Sequence, residues 1–140
     1  MSIMITRKDL QRFVDLTAAA VYDTSGDSDC GLGTLKNEYK LLGRRILKEI
    51  VKQMGLQPGQ YDIRWNPGGI ACSGDHTLHA EWFYLALDDN IGSGWFYFRT
   101  CAGRKDYHGG PNQIVEWVWL IENGVKGLAA LIRKGCSEPE

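Results

Sequence analysis

The stretch from Thr77 to Ala102, TLHAEWFYLALDDNIGSGWFYFRTCA, changes the periodicity of the chain. Upstream, apolar residues recur every three to four positions; from Tyr61 onward they alternate. Alternation is the mark of a strand with two unlike faces, because successive side chains point to opposite sides of a sheet. YDIRW, GIAC, TLHAEWFYLAL and GWFYFRTCA read as four strands, joined by the turn-forming segments NPGG, SGDH and DDNIGS. Linkers this short join antiparallel neighbours, so the expected sheet is a meander.

Pairing the long hairpin across DDNIGS places Leu87 near Gly94, Leu85 by Phe96 and Phe83 by Phe98. That face is uniformly apolar and is expected to hold the helices. The other face then carries Leu78, Ala80, Trp82, Tyr84 and Ala86, with Trp95, Tyr97, Arg99 and Cys101 from the next strand. A solvated sheet face is normally polar. Each large aromatic side chain withdrawn from water contributes roughly 1.5–3 kcal/mol, so this face calls for cover by the chain itself, for self-association, or for a flat ligand stacked on the rings.

Helices flank the sheet. Thr6 and Asp9 have capping-box spacing ahead of Leu10, Phe13, Val14, Thr17, Ala18 and Val21, a helix expected to end near Tyr22. DTSGDSDCGLG follows as a loop. Thr34 opens a second helix with the stripe Leu35, Tyr39, Leu42, Ile46, Ile50 and Met54, stopped by Gly55 and Pro58. GGPNQ, with Gly110 as cap and Pro111 as first helical residue, predicts a last helix burying Ile114, Trp117, Val118, Ile121, Val125, Leu128 and Ile132. The expected fold is one α+β domain over residues 1–140: a four-stranded antiparallel β-meander with two N-terminal helices and one C-terminal helix packed on one face. Residues 136–140 read as a frayed tail.

The second helix carries an unusual charge pattern. Lys36, Lys40, Arg44, Lys48 and Lys52 recur every fourth residue, and Arg45 widens the ridge. Like charges at that spacing cost roughly 0.2–0.5 kcal/mol a pair. From Thr34 to Met54 there are six basic and two acidic residues, a surplus of four; the net charge of −1 leaves the remainder at −5. Bulk charge therefore gives no hold on nucleic acid, while a local anion-binding ridge remains open. Glu49 is placed to relieve Arg45 and Lys52, and Asp23, Asp27 and Asp29 of the preceding loop to fold back on the ridge. The plainer use of the ridge is a solvated face with basic charge at the helix C-terminus.

Chemistry-bearing motifs are sparse. The four cysteines, Cys30, Cys72, Cys101 and Cys136, match no metal or redox spacing. On a strand, His76 and His79 point to opposite faces and share no metal. TCAGRKDYHGGPNQ brings Arg104 and Lys105 close to the expected N-terminus of the last helix, where an anion would be held, yet it is neither a Walker loop nor a dinucleotide fingerprint. No cofactor or metal is expected. With no signal-like or membrane-length apolar run read in it, the chain is expected in the cytoplasm with reduced thiols.

These readings lead to a small non-enzymatic binding or accessory protein. It would take a nucleic acid or phosphate-bearing ligand through Trp82, Tyr84, Trp95, Tyr97, Arg99, Arg104 and Lys105, through the ridge, or through both. The alternative is a homodimer with the aromatic face as its interface and an acidic protein as its partner. A third reading is an enzyme using Cys101, His108 and Arg104.

Overall fold

The computed structural model describes residues 5–19, 34–66, 75–87, 94–103 and 110–136. Helices α1 (Arg7–Ala19) and α2 (Thr34–Gln53) precede strands β1 (Tyr61–Asn66), β2 (Asp75–Ala80), β3 (Phe83–Leu87), β4 (Trp95–Thr100) and β5 (Gln113–Glu116), and α3 (Trp117–Gly135) ends the order. The strands form an antiparallel meander in chain order.

Two helix ends are those the sequence signals: the start of α1 and the stop of α2. The Thr6 amide donates to Asp9 Oδ2 at 2.9 Å and the Asp9 amide to Thr6 Oγ1 at 3.2 Å, a reciprocal capping box. Gly55 closes α2 at φ +69°, with its amide on the Lys52 carbonyl and that of Leu56 on the Val51 carbonyl. This is the Schellman arrangement, and its left-handed residue is one that glycine adopts without a Cβ penalty. The expected continuation of α1 to Tyr22, the acidic loop and the GIAC strand lie outside the described residues.

Among the described residues, which cover three of the four expected strands, the sheet has five strands, for two reasons. The first is that TLHAEWFYLAL is not one strand. It folds back at Glu81–Trp82, so His79 pairs with Tyr84 and Leu78 with Leu85. Ala80 and Phe83 then close a two-residue hairpin loop, the shortest common connection. The second is that Gly110 and Pro111 do not open a helix. Gln113–Glu116 pairs with β4 from Trp95↔Glu116 to Phe98↔Gln113, and α3 begins at Trp117. Ile114 and Val115, both β-branched, suit the added strand.

Register fixes the faces. Across β3 and β4, Leu85 pairs with Phe98, Ala86 with Tyr97 and Tyr84 with Arg99. The expected pairing set Leu85 by Phe96, two residues away; a slip of two keeps every side chain on its face. Tyr61, Ile63, Trp65, His76, Leu78, Ala80, Phe83, Leu85, Leu87, Phe96, Phe98 and Val115 share the helix side. All but the half-buried β1 residues Tyr61, Ile63 and Trp65 are buried with Leu10, Phe13 and Leu16 of α1, Tyr39, Leu42, Ile46, Leu47 and Ile50 of α2, and Trp117, Leu120, Leu128 and Ile132 of α3. Leu78 and Ala80, expected on the outer face, are therefore core residues, because the hairpin loop at Glu81–Trp82 resets the alternation.

The core centres on His76. Its ring meets Phe13, Tyr39 and Trp65 at centroid distances of 5.4, 4.8 and 4.6 Å. Nε2 lies 3.2 Å from the Lys40 carbonyl of α2 and donates to it, while Nδ1 has no hydrogen-bond partner. Burial pushes this imidazole down to about 4, with smaller opposing contributions from backbone carbonyls. In α3, Gly124 takes a non-helical φ of +75° and ψ of 179°. Val118, assigned to the buried stripe by periodicity, is instead exposed, and Ile114 lies on β5. Among the described residues no helix is long and apolar enough to cross a membrane.

Candidate functional site

The side of the sheet away from the helices carries Asp62 and Arg64 of β1, Asp75, Thr77 and His79 of β2, Tyr84 and Ala86 of β3, Trp95, Tyr97 and Arg99 of β4, and Ile114 and Glu116 of β5. Among the described residues no helix lies over it. The two-faced sheet expected from alternation is present, with a different membership at one end.

One cross-strand row is chemically distinctive. Register pairs Asp62 with His79, His79 with Tyr84, and Tyr84 with Arg99. The His79 and Tyr84 rings meet edge-on at 4.4 Å, and the Arg99 guanidinium stacks over the Tyr84 ring at 4.6 Å from its centroid. Arg99 is only 8% exposed and His79 5%. Tyr84 also hydrogen-bonds Tyr97, whose ring is 6.1 Å away, and burial above all raises the Tyr84 phenol above its ordinary range. A phenol held neutral in this way is no general base near neutrality.

The neighbouring row is the more accessible part. It runs Arg64, Thr77, Ala86, Tyr97, Ile114. Ile114 is 53% exposed, and Tyr97 and Trp95 are half-buried beside it. An exposed aliphatic side chain next to two half-buried rings makes an apolar strip along β4 and β5.

Of the residues assigned to a ligand from sequence, Tyr84, Trp95, Tyr97 and Arg99 are brought together here. Trp82 is not. It sits in the β2–β3 turn, packs edge-on to Phe83 at 4.9 Å and belongs to the core. Cys101 lies just past the end of β4 and is buried, and its thiol donates to the Ala80 carbonyl at 3.4 Å, so it is not open to a ligand on the face. Arg104, Lys105 and His108 lie outside the described residues. Sequence reasoning passed over Asp62 and His79, whose place in the row depends on the β2–β3 turn. It also passed over Ile114, absorbed into a helix that starts three residues later.

The basic ridge is resolved into parts. Four residues advance a helix by about 400°, so each ridge member is rotated about 40° from the last. The ridge therefore starts at the core boundary and climbs into solvent. Lys36 is 8% exposed, Lys40 is half-buried, and Arg44, Arg45, Lys48 and Lys52 are open. Neither acid of α2 neutralises it. Glu38 is held by Arg12 of α1 through two 2.7 Å hydrogen bonds, which lower its carboxyl below the usual range. Glu49 accepts from Gln53 rather than pairing with Arg45 or Lys52. Arg45 meets Asp9 at 3.9 Å, and among the described residues Arg44, Lys48 and Lys52 form no ion pair. Asp23, Asp27 and Asp29 lie outside the described residues.

The two surfaces are on opposite sides. The buried stripe of α2 faces the sheet, the ridge points away from it, and the aromatic strip lies beyond the sheet. One ligand molecule of modest size cannot touch both. Among the described residues no group of three metal-ligating side chains occurs. Comparisons with family models, curated proteins and solved structures find no match to this chain.

Proposed function

We propose that this is a non-enzymatic binding protein that self-associates through the β4–β5 side of the sheet face turned from the helices and leaves the α2 ridge of each protomer free for an anionic partner. The observation that carries the reading is the strip of Ile114, Tyr97 and Trp95 on a sheet face with no helix over it among the described residues. Tyr, Trp and Arg are the side chains enriched at the centres of protein interfaces.

The charges support a second copy over a polyanion. Among the described residues the face holds Asp62, Asp75 and Glu116 against Arg64 and Arg99, and Arg99 is already stacked on Tyr84. Phosphates gain little from such a balance. A two-fold axis along the strands sets β1 of one copy over β5 of the other, bringing Arg64 near Glu116. The strand edges serve less well for pairing: β1 presents Asp62 and Arg64, and β5 has only four residues.

Area sets the strength. Five strands at about 4.8 Å spacing span roughly 19 Å, and strand length gives about 17 Å in the other direction. That projected area, on the order of 350 Å², falls below the ~800 Å² per partner of a standard interface. The dimer is thus expected to be concentration-dependent. Light scattering over a dilution series tests this: a mass rising toward the dimer with concentration supports the reading, and a strict monomer at the highest concentration removes it.

A further inference from the structure

The ridge contains one residue that charge alone does not explain. Leu41 is 48% exposed on α2. It lies about 140° around the helix from Lys36, between the angular positions of Lys48 and Lys52. Arg44 and Arg45 follow it at three and four residues and border it on the helix surface, and Lys48 lies on the same side one turn further on. Asn37 and Glu38 lie on its N-terminal side, so Leu41 is an apolar side chain at the edge of the cations. It adds nothing to a phosphate backbone, which offers no apolar group to cover it. Among the described residues α2 exposes no aromatic ring on which a base would stack, since Tyr39 is fully buried.

We propose that the outward face of α2 docks an acidic amphipathic helix of a partner protein, with an apolar side chain of that helix seated on Leu41 and its carboxylates on Arg44, Lys48 and Lys52. Charge complementarity selects the sign of the partner, and Leu41 selects protein over nucleic acid. The i, i+4 spacing of the cations matches carboxylates placed four apart on a second helix, about 6 Å per step. The acids of α2 are engaged elsewhere, Glu38 with Arg12 and Glu49 with Gln53, while Asp9 of α1 caps Thr6 and reaches Arg45 at 3.9 Å, leaving Arg44, Lys48 and Lys52 as the cations to be met. This deepens the reading of the ridge as an anion-binding surface and rests on it, while it is independent of the dimer.

The test uses the full chain and three fluorescent probes read by anisotropy at about 150 mM salt. The first is a synthetic amphipathic helix of about 20 residues with glutamates four apart flanking a leucine stripe. The second is the same composition in scrambled order, and the third is a single-stranded oligonucleotide. The amphipathic peptide is expected to bind at least tenfold tighter than the scrambled one. Leu41→Ser is expected to weaken it about tenfold and Lys48→Glu/Lys52→Glu to abolish it. Leu41→Ser should leave circular dichroism and the light-scattering mass unchanged, because the side chain is half exposed. If Leu41→Ser leaves peptide binding intact, or the scrambled peptide binds equally, the proposal is overturned while the anion surface stands. If no probe binds, both are overturned, and the dimer, read on the same samples, is unaffected.

Discussion

Gly43 of α2 lies against the ring of His76, so closely that a Cβ at position 43 would overlap the imidazole. The contact joins the helix layer to β2 at the centre of the core, next to the hydrogen bond from His76 to Lys40. Gly43 has no unusual φ, so the requirement is close approach rather than backbone freedom.

Gly43→Ala is therefore expected to destabilise the protein although alanine favours helix by about 1 kcal/mol. Overpacking of a filled core costs typically about 1–3 kcal/mol, and here the neighbour is a rigid ring. Chemical denaturation should show the loss. The double change with His76→Ala should cost less than the sum of the single changes, since the two residues share one contact.

The same ring makes stability depend on pH. His76 has a folded value of about 4 against 6.5 for the ordinary side chain. Between those values the unfolded chain binds more protons than the folded one, so stability rises with pH there and falls on acidification. At about 1.4 kcal/mol per unit, this imidazole removes on the order of 3 kcal/mol between pH 6.5 and 4. Above pH 6.5 it contributes no slope. Urea midpoints at pH 7, 5.5 and 4.5 measure the effect, and His76→Leu should flatten that portion of the curve whatever its cost at pH 7.

Trp82 distinguishes the observed hairpin from a continuous strand. On a continuous strand it would be a surface ring beside Arg99, and its loss would affect binding alone. In the β2–β3 turn it packs on Phe83 within the core, its carbonyl accepting from the Cys101 amide at 3.2 Å. Trp82→Ala is expected to cost about 3–5 kcal/mol of stability. Tyr97→Ala, on the open face, should cost much less.

Most of the fold was legible in the sequence where local signals agreed. The Thr6–Asp9 box, the Gly55 stop and the strict alternation of Phe83–Leu87 and Trp95–Thr100 each carry their own physical cause. The two-faced sheet followed from parity. The β2–β3 turn was not legible, because Ala80-Glu81-Trp82-Phe83 contains no Gly, Pro or Asn and its flanks continue an apolar run. Gly110-Pro111 misled in the opposite sense: the pair suits a helix start, yet tertiary pairing with β4 claimed Gln113–Glu116. For the candidate site, Tyr84, Trp95, Tyr97 and Arg99 were found by alternation. Asp62 and His79 needed the register. Leu41 was within reach of the helical geometry that revealed the ridge.

The thiols bear on the enzyme reading. Cys101 and Cys136 are both buried, and burial raises the Cys136 thiol above its usual range. A thiol held protonated and away from solvent is a poor nucleophile. Iodoacetamide treatment of the native protein followed by peptide mass mapping should leave both unmodified, with labelling only after denaturation. Rapid native alkylation of Cys101 would return a thiol mechanism to consideration.

Association through the open face is tested by sedimentation velocity of the wild-type chain beside Tyr97→Glu/Ile114→Glu, with Lys48→Glu/Lys52→Glu as the control for charge change elsewhere. The expected result is a concentration-dependent dimer for wild type and the α2 variant, and a monomer for the sheet-face variant. Identical profiles for all three proteins would contradict the account, because the aromatic strip would then contribute nothing to association.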